Sequence, residues 1–159
     1  MKPILNLDEL DQFQKHGQGT FQAKFGIVSE QIGASLLGYN VTIVPQNKKA
    51  CPFHNHQVNE EMFLILSGKG LLRFGETEYP VRTHDIIACP PGGREVAHQL
   101  INTGTSALKY LAISTRVPYE ICEYPDSDKI LSMVGDYRNK KLRHIARAGD
   151  SLDYFDGEE

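Results

Sequence analysis

The stretch CPFHNHQVNEEMFLILSGKG, residues 51–70, places His54 and His56 one residue apart and follows them with Glu60 and Glu61 at the head of an apolar run. In an extended chain, side chains two apart share a face, so the two imidazoles project together. A connection between two strands could fold Glu61 back beside them. Farther along, VAHQLIN offers His98 on another strand. Three imidazoles and a carboxylate converging in a protein interior form a mixed N/O donor set suited to one divalent transition ion. Cys51 lies an odd number of residues from His54 and is expected to face away from it, as a small buried hydrophobe. Cys89 and Cys122 have no acid or base beside them in sequence, and His16, His84 and His144 fall outside the constellation.

The elements that must position these residues read as strands. Between about residues 20 and 121 the chain breaks into FQAKFGIVS, SLLGYNVTIVP, MFLILSG, GLLRFG, TEYPVRT, DIIACP, VAHQLIN and ALKYLAIST. These β-rich runs are separated by Gly, Pro, Asn and Asp, the spacing of an all-β sandwich or barrel. Eight antiparallel strands predict a jelly-roll barrel. MFLILS and LKYLAIS are apolar on both alternating faces, whereas a strand with one wet face alternates. Something must cover their outer face, either the chain's own ends or a second copy. A two-fold homodimer is the expected closure, because an isologous contact leaves no free patch.

Composition narrows the function classes. At 159 residues the chain fits one domain, and its formal charge of -3 gives no general attraction to nucleic acid. The basic run RNKKLRHIAR, residues 138–147, is followed by Asp150, Asp153, Asp156, Glu158 and Glu159, which cancel its field. No segment is apolar for long enough to span a bilayer, so no membrane partner is expected. The N-terminus lacks the apolar core of a secretory signal, and three scattered cysteines suit reduced thiols, which together predict a cytoplasmic protein.

The spacing His54-x-His56, four residues, Glu61, six residues, Gly68 resembles the first motif of the cupin superfamily. The second motif is similar to HDIIACPPGGREVAHQLIN, where Pro90, Gly92, His98 and Asn102 find places. The resemblance implies a cupin double-stranded β-helix, a jelly-roll barrel over residues 20–121. A short N-terminal extension, 1–19, precedes it, and a C-terminal tail, 122–159, packs on the barrel or on a dimer partner. It further implies one divalent metal, Mn, Fe, Ni or Zn, held by His54, His56, Glu61 and His98. Motif spacing selects Glu61 over Glu60, which is expected as a solvent-facing acid at the rim.

Two turn glycines of the motifs are replaced here, by Lys48 and His84. Asn47 and His84 are residues able to hold a left-handed turn. Five residues separate Gly92 from His98 where the motif has two, and the Pro-Pro-Gly-Gly loop is expected to absorb the difference. Four protein ligands on a six-coordinate ion leave positions open to substrate, whereas tetrahedral zinc would be saturated. The resemblance therefore implies a metal-dependent enzyme, an oxygenase or an isomerase, acting on a small carbonyl-bearing or hydroxylated molecule. Its alternative is a non-catalytic metabolite-binding or sensor module. The sequence identifies no catalytic acid or base. Arg73, Arg82 and Arg94 are the candidate contacts for a phosphorylated substrate.

Overall fold

The computed structural model describes residues 2–135 and 139–158. All eight expected strands form, as β2 (Phe21–Ile27), β3 (Leu37–Val44), β5 (Glu61–Ser67), β6 (Lys69–Phe74), β7 (Thr77–Arg82), β8 (Ile86–Cys89), β9 (His98–Ile101) and β10 (Leu108–Thr115). Five more join them: β1 (Gln14–Gln18), β4 (Asn55–His56), β11 (Tyr119–Tyr124), β12 (Lys129–Gly135) and β13 (Lys140–Arg147). One wall of the barrel is a six-stranded sheet in the order β1-β2-β3-β10-β5-β8. The other combines β7-β6-β9 with β4-β11-β12-β13, and a bridge between His54 and His98 joins the two parts. The strand pairs are antiparallel throughout.

The two-faced strands divide their apolar residues as their alternation demands. Phe63 and Ile65 of β5, with Leu108 and Tyr110 of β10, point inward and pack with Val44, Leu72, Val81, Ile87 and Leu100. On the outer face, Leu66 and Leu111 meet Leu5, Leu7, Leu10 and Phe13 of the N-terminal segment. The chain thus covers part of this face itself. The rest, around Met62, Leu64 and Ile113, is only half-buried, and Ile86 on the neighbouring edge strand is 70% exposed.

Turn chemistry fixes the register. Gly68 has φ +87°, and a Cβ there would lie 2.6 Å from the Ala107 carbonyl oxygen. Asn47, beside Lys48, and His84, which stands in place of a motif glycine, do adopt positive φ, 58° and 76°. Asp85 assists His84 by accepting from the Arg82 N–H at 2.8 Å. The extra length before His98 is taken up by a 3-10 turn over Arg94–Val96, so β9 begins at His98 with its faces preserved. That loop is tied to β4 twice: the Gly92 N–H donates to the His56 carbonyl, and the Asn55 amide donates to the Gly92 carbonyl, both at 2.8 Å. Among the described residues, no helix is long and apolar enough to cross a membrane.

Asn102 is fully buried and acts as a connector. Its amide donates to the Val44 and Ser106 carbonyls, and its carbonyl accepts from the Gly104 N–H. Asn102→Ala should lower unfolding free energy by about 2–4 kcal/mol, since three backbone groups, two of them buried, lose their partner. Denaturant unfolding measures this, and a loss below about 0.5 kcal/mol would contradict it.

Candidate metal centre

His54 and His56 approach the barrel interior from β4 and the residue before it, Glu61 from the start of β5, and His98 from the start of β9. His54 and His98 are direct cross-strand partners, with backbone hydrogen bonds of 3.2 and 2.8 Å in the two directions. Opposed residues of an antiparallel pair share a face, so backbone pairing alone brings these rings together, 4.7 Å apart between centroids. The candidate donor atoms of all four residues lie within 4.8 Å of one another. Glu60, one residue away, is exposed and outside the cluster.

The three Nε2 atoms converge on one oxygen, Glu61 Oε2, at 3.9 Å from His54, 3.5 Å from His56 and 3.1 Å from His98. Each ring has an acceptor at its other nitrogen: the Pro52 carbonyl at 2.8 Å for His54, the Glu120 carboxylate at 3.2 Å for His56 and the Val96 carbonyl at 3.2 Å for His98. An Nδ1–H held this way would leave Nε2 as the nitrogen available to an ion, once any Nε2 proton shared with Glu61 is released. His56 Nε2 is buried and has no hydrogen-bond partner among the described residues. Ligand bonds of about 2.0–2.2 Å would hold donors some 3–4.4 Å apart around one ion, so residues whose donors lie within 4.8 Å of one another need only small shifts to fit a metal.

Burial and charge oppose each other in this cluster. Burial pushes His54 down to about 4, against the pull of Glu61. Burial also works against charge on His56, but its contacts with Cys122, Glu120 and Glu61 prevail and raise its pKa. Burial disfavours ionised Glu61, yet His56 and His98 hold it well below the usual carboxylate range.

Beside the cluster lies a cavity of about 730 Å³ bounded by His54, His56, Glu61, Phe63 and Tyr110. His98, 2% exposed, sits behind them. Cys51 also lines the cavity, with Sγ 3.8 Å from His54 Nδ1, contrary to the parity expectation. Residues 50–53 form a bend rather than a strand, so alternation does not apply to them. Burial pushes its thiol up to about 12, which keeps it neutral.

Two residues of β11, Glu120 and Tyr124, went unread in the sequence, and Cys122 was given no chemical role there. Glu120, Cys122 and Tyr124 alternate in YEICEY and all face the cavity. Cys122 Sγ lies 3.3 Å from His56 Nδ1, and the Tyr124 ring stacks on His54 at 6.2 Å. Glu120, 4% exposed, accepts from the Val58 and Ile121 N–H groups on one oxygen and from Asn59 and His56 on the other. The period-two pattern was the available signal.

The three arginines singled out from sequence are engaged elsewhere. Arg73 pairs with Asp126 at 2.7 Å and lies over Phe53, Arg94 pairs with Glu123 and Asp128, and Arg82 is exposed. The arginine that lines the cavity is Arg116.

Comparison with known proteins agrees with this architecture. Residues 40–114 match the Cupin domain family. Auxin-binding protein 1 of Arabidopsis thaliana is 36% identical over 84 residues, a match covering 47% of this chain and 40% of that protein. The chain thus spans less than half of that relative's length. A candidate sugar phosphate isomerase from Acidithiobacillus ferrooxidans superposes with TM-score 0.84 at 23% identity, covering 96% of both chains. A sugar phosphate isomerase from a cupin superfamily, from Silicibacter pomeroyi, gives 0.79 at 22%, covering 97% of this chain and 98% of that one. At these identities the likeness shows the fold alone.

Glu120 offers a direct check of the site's electrostatics. Burial disfavours its charge, but contacts with His56 and Asn59 outweigh that and hold its pKa at about 2. A depressed carboxylate stabilises the fold above its unfolded pKa, near 4.5, and loses that contribution as pH falls toward 2. Glu120→Gln sets an NH2 group against backbone donors and should cost about 2–3 kcal/mol at pH 7. The gap between wild type and variant should narrow below about pH 4.5 in thermal melts. A constant gap down to pH 3 would contradict this account.

Proposed function

Residues 40–114 belong to the cupin superfamily, and from that premise we propose that the protein binds one divalent transition ion, Mn, Fe, Ni or Zn. Its ligands in this reading are His54, His56, Glu61 and His98. With the ion bound, the protein acts as a metal-dependent enzyme on a small carbonyl-bearing or hydroxylated organic molecule. The observation that carries the proposal is the convergence of three imidazole Nε2 atoms on one carboxylate oxygen, each ring having its Nδ1 beside an acceptor. A bound ion supplies Lewis acidity to a substrate carbonyl or hydroxyl. Phe63 and Tyr110 provide an apolar wall that keeps the reacting end dry, and the neutral Cys51 thiol adds no competing charge. Two structural neighbours named for sugar phosphate isomerisation suggest proton transfer beside a carbonyl as the first reaction class to assay.

One observation favours a second reading, a metabolite-binding or sensor module. Glu120, the buried carboxylate nearest the cluster, is engaged by backbone and side-chain donors and has no strength as a base. Turnover measured by NMR on the metal-loaded protein separates the two. We place the protein in the cytoplasm, where its three free cysteines stay reduced.

Elemental analysis should find about one ion per chain, and His54→Ala or His56→Ala should abolish it, because the remaining donors no longer offset dehydration of the ion. Glu61→Gln should weaken binding more than Glu60→Gln. Since contacts with the carboxylates hold His56 protonated in the metal-free protein, ion binding should expel about one proton, and affinity should fall with falling pH. His54 adds a second competing proton only near pH 4. Calorimetry in buffers of different ionisation enthalpy counts those protons. Full metal content in both histidine variants, or the reverse order of the glutamates, would end the reading.

We further propose a homodimer in which the half-buried outer face of β5 and β10 meets its counterpart, with residues 122–159 contributing. Met62, Leu64, Ile113 and the 70%-exposed Ile86 remain beyond the reach of the N-terminal segment. Light scattering at low micromolar concentration should give twice the 17.8 kDa chain mass, and a monomer that binds no hydrophobic dye would exclude the dimer.

A further inference from the structure

The far wall of the cavity is polar and takes no part in holding an ion. Across the six-stranded sheet one row of paired residues runs Cys89, Glu61, Ser114, Gly38. Glu61 and Gly38 therefore stand two strands apart, about 10 Å between Cα atoms. Gly38 does not adopt a positive φ, so the backbone there does not require glycine. What it provides is space, since a Cβ would lie 2.9 Å from Arg116 Nε and 3.4 Å from Ser114 Oγ.

Arg116 fills that space in a prepared pose. Its backbone N–H donates to the Leu36 carbonyl at 2.9 Å, its Nη2 donates to Ser29 Oγ at 2.9 Å, and Nη2 lies 3.6 Å from the Glu30 carboxylate. Ser29 is 1% exposed, so one side of the guanidinium is anchored to buried structure. Its Nε–H and Nη1 donors have no partner among the described residues. On the same wall, Thr42 Oγ1 donates to Asn40 Oδ1 at 2.7 Å. That occupies the amide oxygen, and the Asn40 N–H groups have no partner among the described residues. Arg116 and Asn40 line the same cavity as His54, His56 and Glu61.

We propose that Arg116 and Asn40 form an anion subsite, so that the cavity takes a small organic molecule carrying a carboxylate or phosphate at one end and a hydroxyl or carbonyl at the other. The anionic end meets Arg116 and Asn40, and the other end meets the histidine and glutamate cluster; this second pole rests on the metal proposal above. A bound divalent ion would balance the Glu61 and Glu120 carboxylates. Although Glu30 faces Nη2 of Arg116, the Nε–H and Nη1 donors stay open. The cavity therefore offers an anionic tail directed donors at one end and the ion at the other, beside an apolar wall of Phe63 and Tyr110. A separation of about 10 Å between the two strands that carry Glu61 and Gly38 suits a ligand of about three to six carbons. Arginine suits either anion, since its planar donors match both.

The test uses manganese-loaded protein and three probes sharing a 2-hydroxy acid end: 2-hydroxyglutarate, 3-phosphoglycerate and the neutral-tailed 2-hydroxyvalerate. Calorimetry should show the two probes with an anionic tail binding at least about tenfold tighter than 2-hydroxyvalerate. The tighter of the two assigns carboxylate or phosphate. Arg116→Gln should abolish that advantage while metal content and 2-hydroxyvalerate affinity stay unchanged, and Arg116→Lys should keep part of it. Gly38→Ala, which displaces the guanidinium but leaves its charge, should reduce it. Equal affinity for the three probes, no binding of any, or an advantage that survives Arg116→Gln would overturn the subsite. If wild type takes up no manganese, the metal proposal fails on its own, and the subsite is decided with inorganic phosphate on the metal-free protein. Binding lost in Arg116→Gln then supports it, and absence of binding overturns it.

Discussion

Two backbone hydrogen bonds between His54 and His98 hold this structure together at the point where its candidate metal centre lies. They are the bridge between β9 and the strand that leads into β4, and so between the two parts of one barrel wall. A side-chain period of two means that a slip of one residue on either side would turn one ring out of the barrel. The surrounding structure guards against that slip. The 3-10 turn over Arg94–Val96 takes the extra length before His98, and Gly92 is fastened to both residues of β4. Register and candidate site are therefore one constraint.

The second constraint is electrostatic. Three imidazoles and a carboxylate share a region with little water, where an uncompensated charge is costly. The protein meets this with alternating signs: Glu61 ionised, His56 charged between Glu61 and Glu120, and His54 kept neutral by burial. The backbone amides of Val58, Asn59 and Ile121 in turn support Glu120. The cluster is thereby stable before any ion arrives, with the Nε2 atoms already aimed at a common point.

The strands and the four clustered residues were legible in the sequence because both follow from alternation and spacing, which are local properties. His84 could be read as a turn residue because histidine tolerates positive φ, and it adopts it. What escaped depended on distant pairing. β4 is two residues long and exists only through its pairing with β11, so no local run announces it. Cys51 was misplaced because a bend lies between it and His54. β13 reads as a solvated basic run, and its side chains are largely exposed, but its backbone pairs along the whole of β12. The cavity arginine could not be chosen from sequence, since an ion pair or a stacked ring removes Arg73 and Arg94 and only the fold reveals those partners.

The division of labour within the cavity follows from this difference. Residues that alternation and spacing reveal sit on β5, β9 and the approach to β4, where backbone pairing fixes them and leaves little freedom to vary. Glu120, Cys122 and Tyr124 come from β11, and Arg116 from the turn just before it, where the chain leaves the central barrel. The side chains of Arg116 and Glu120 are held by local hydrogen bonds, such as those of Ser29 with Arg116 and Asn59 with Glu120. A change at one of them alters charge or shape in the cavity while the bridge between His54 and His98 stays closed. In the proposed reading, selectivity on this barrel can therefore vary at Arg116 with less disturbance to the cluster than at Glu120, which holds His56 Nδ1.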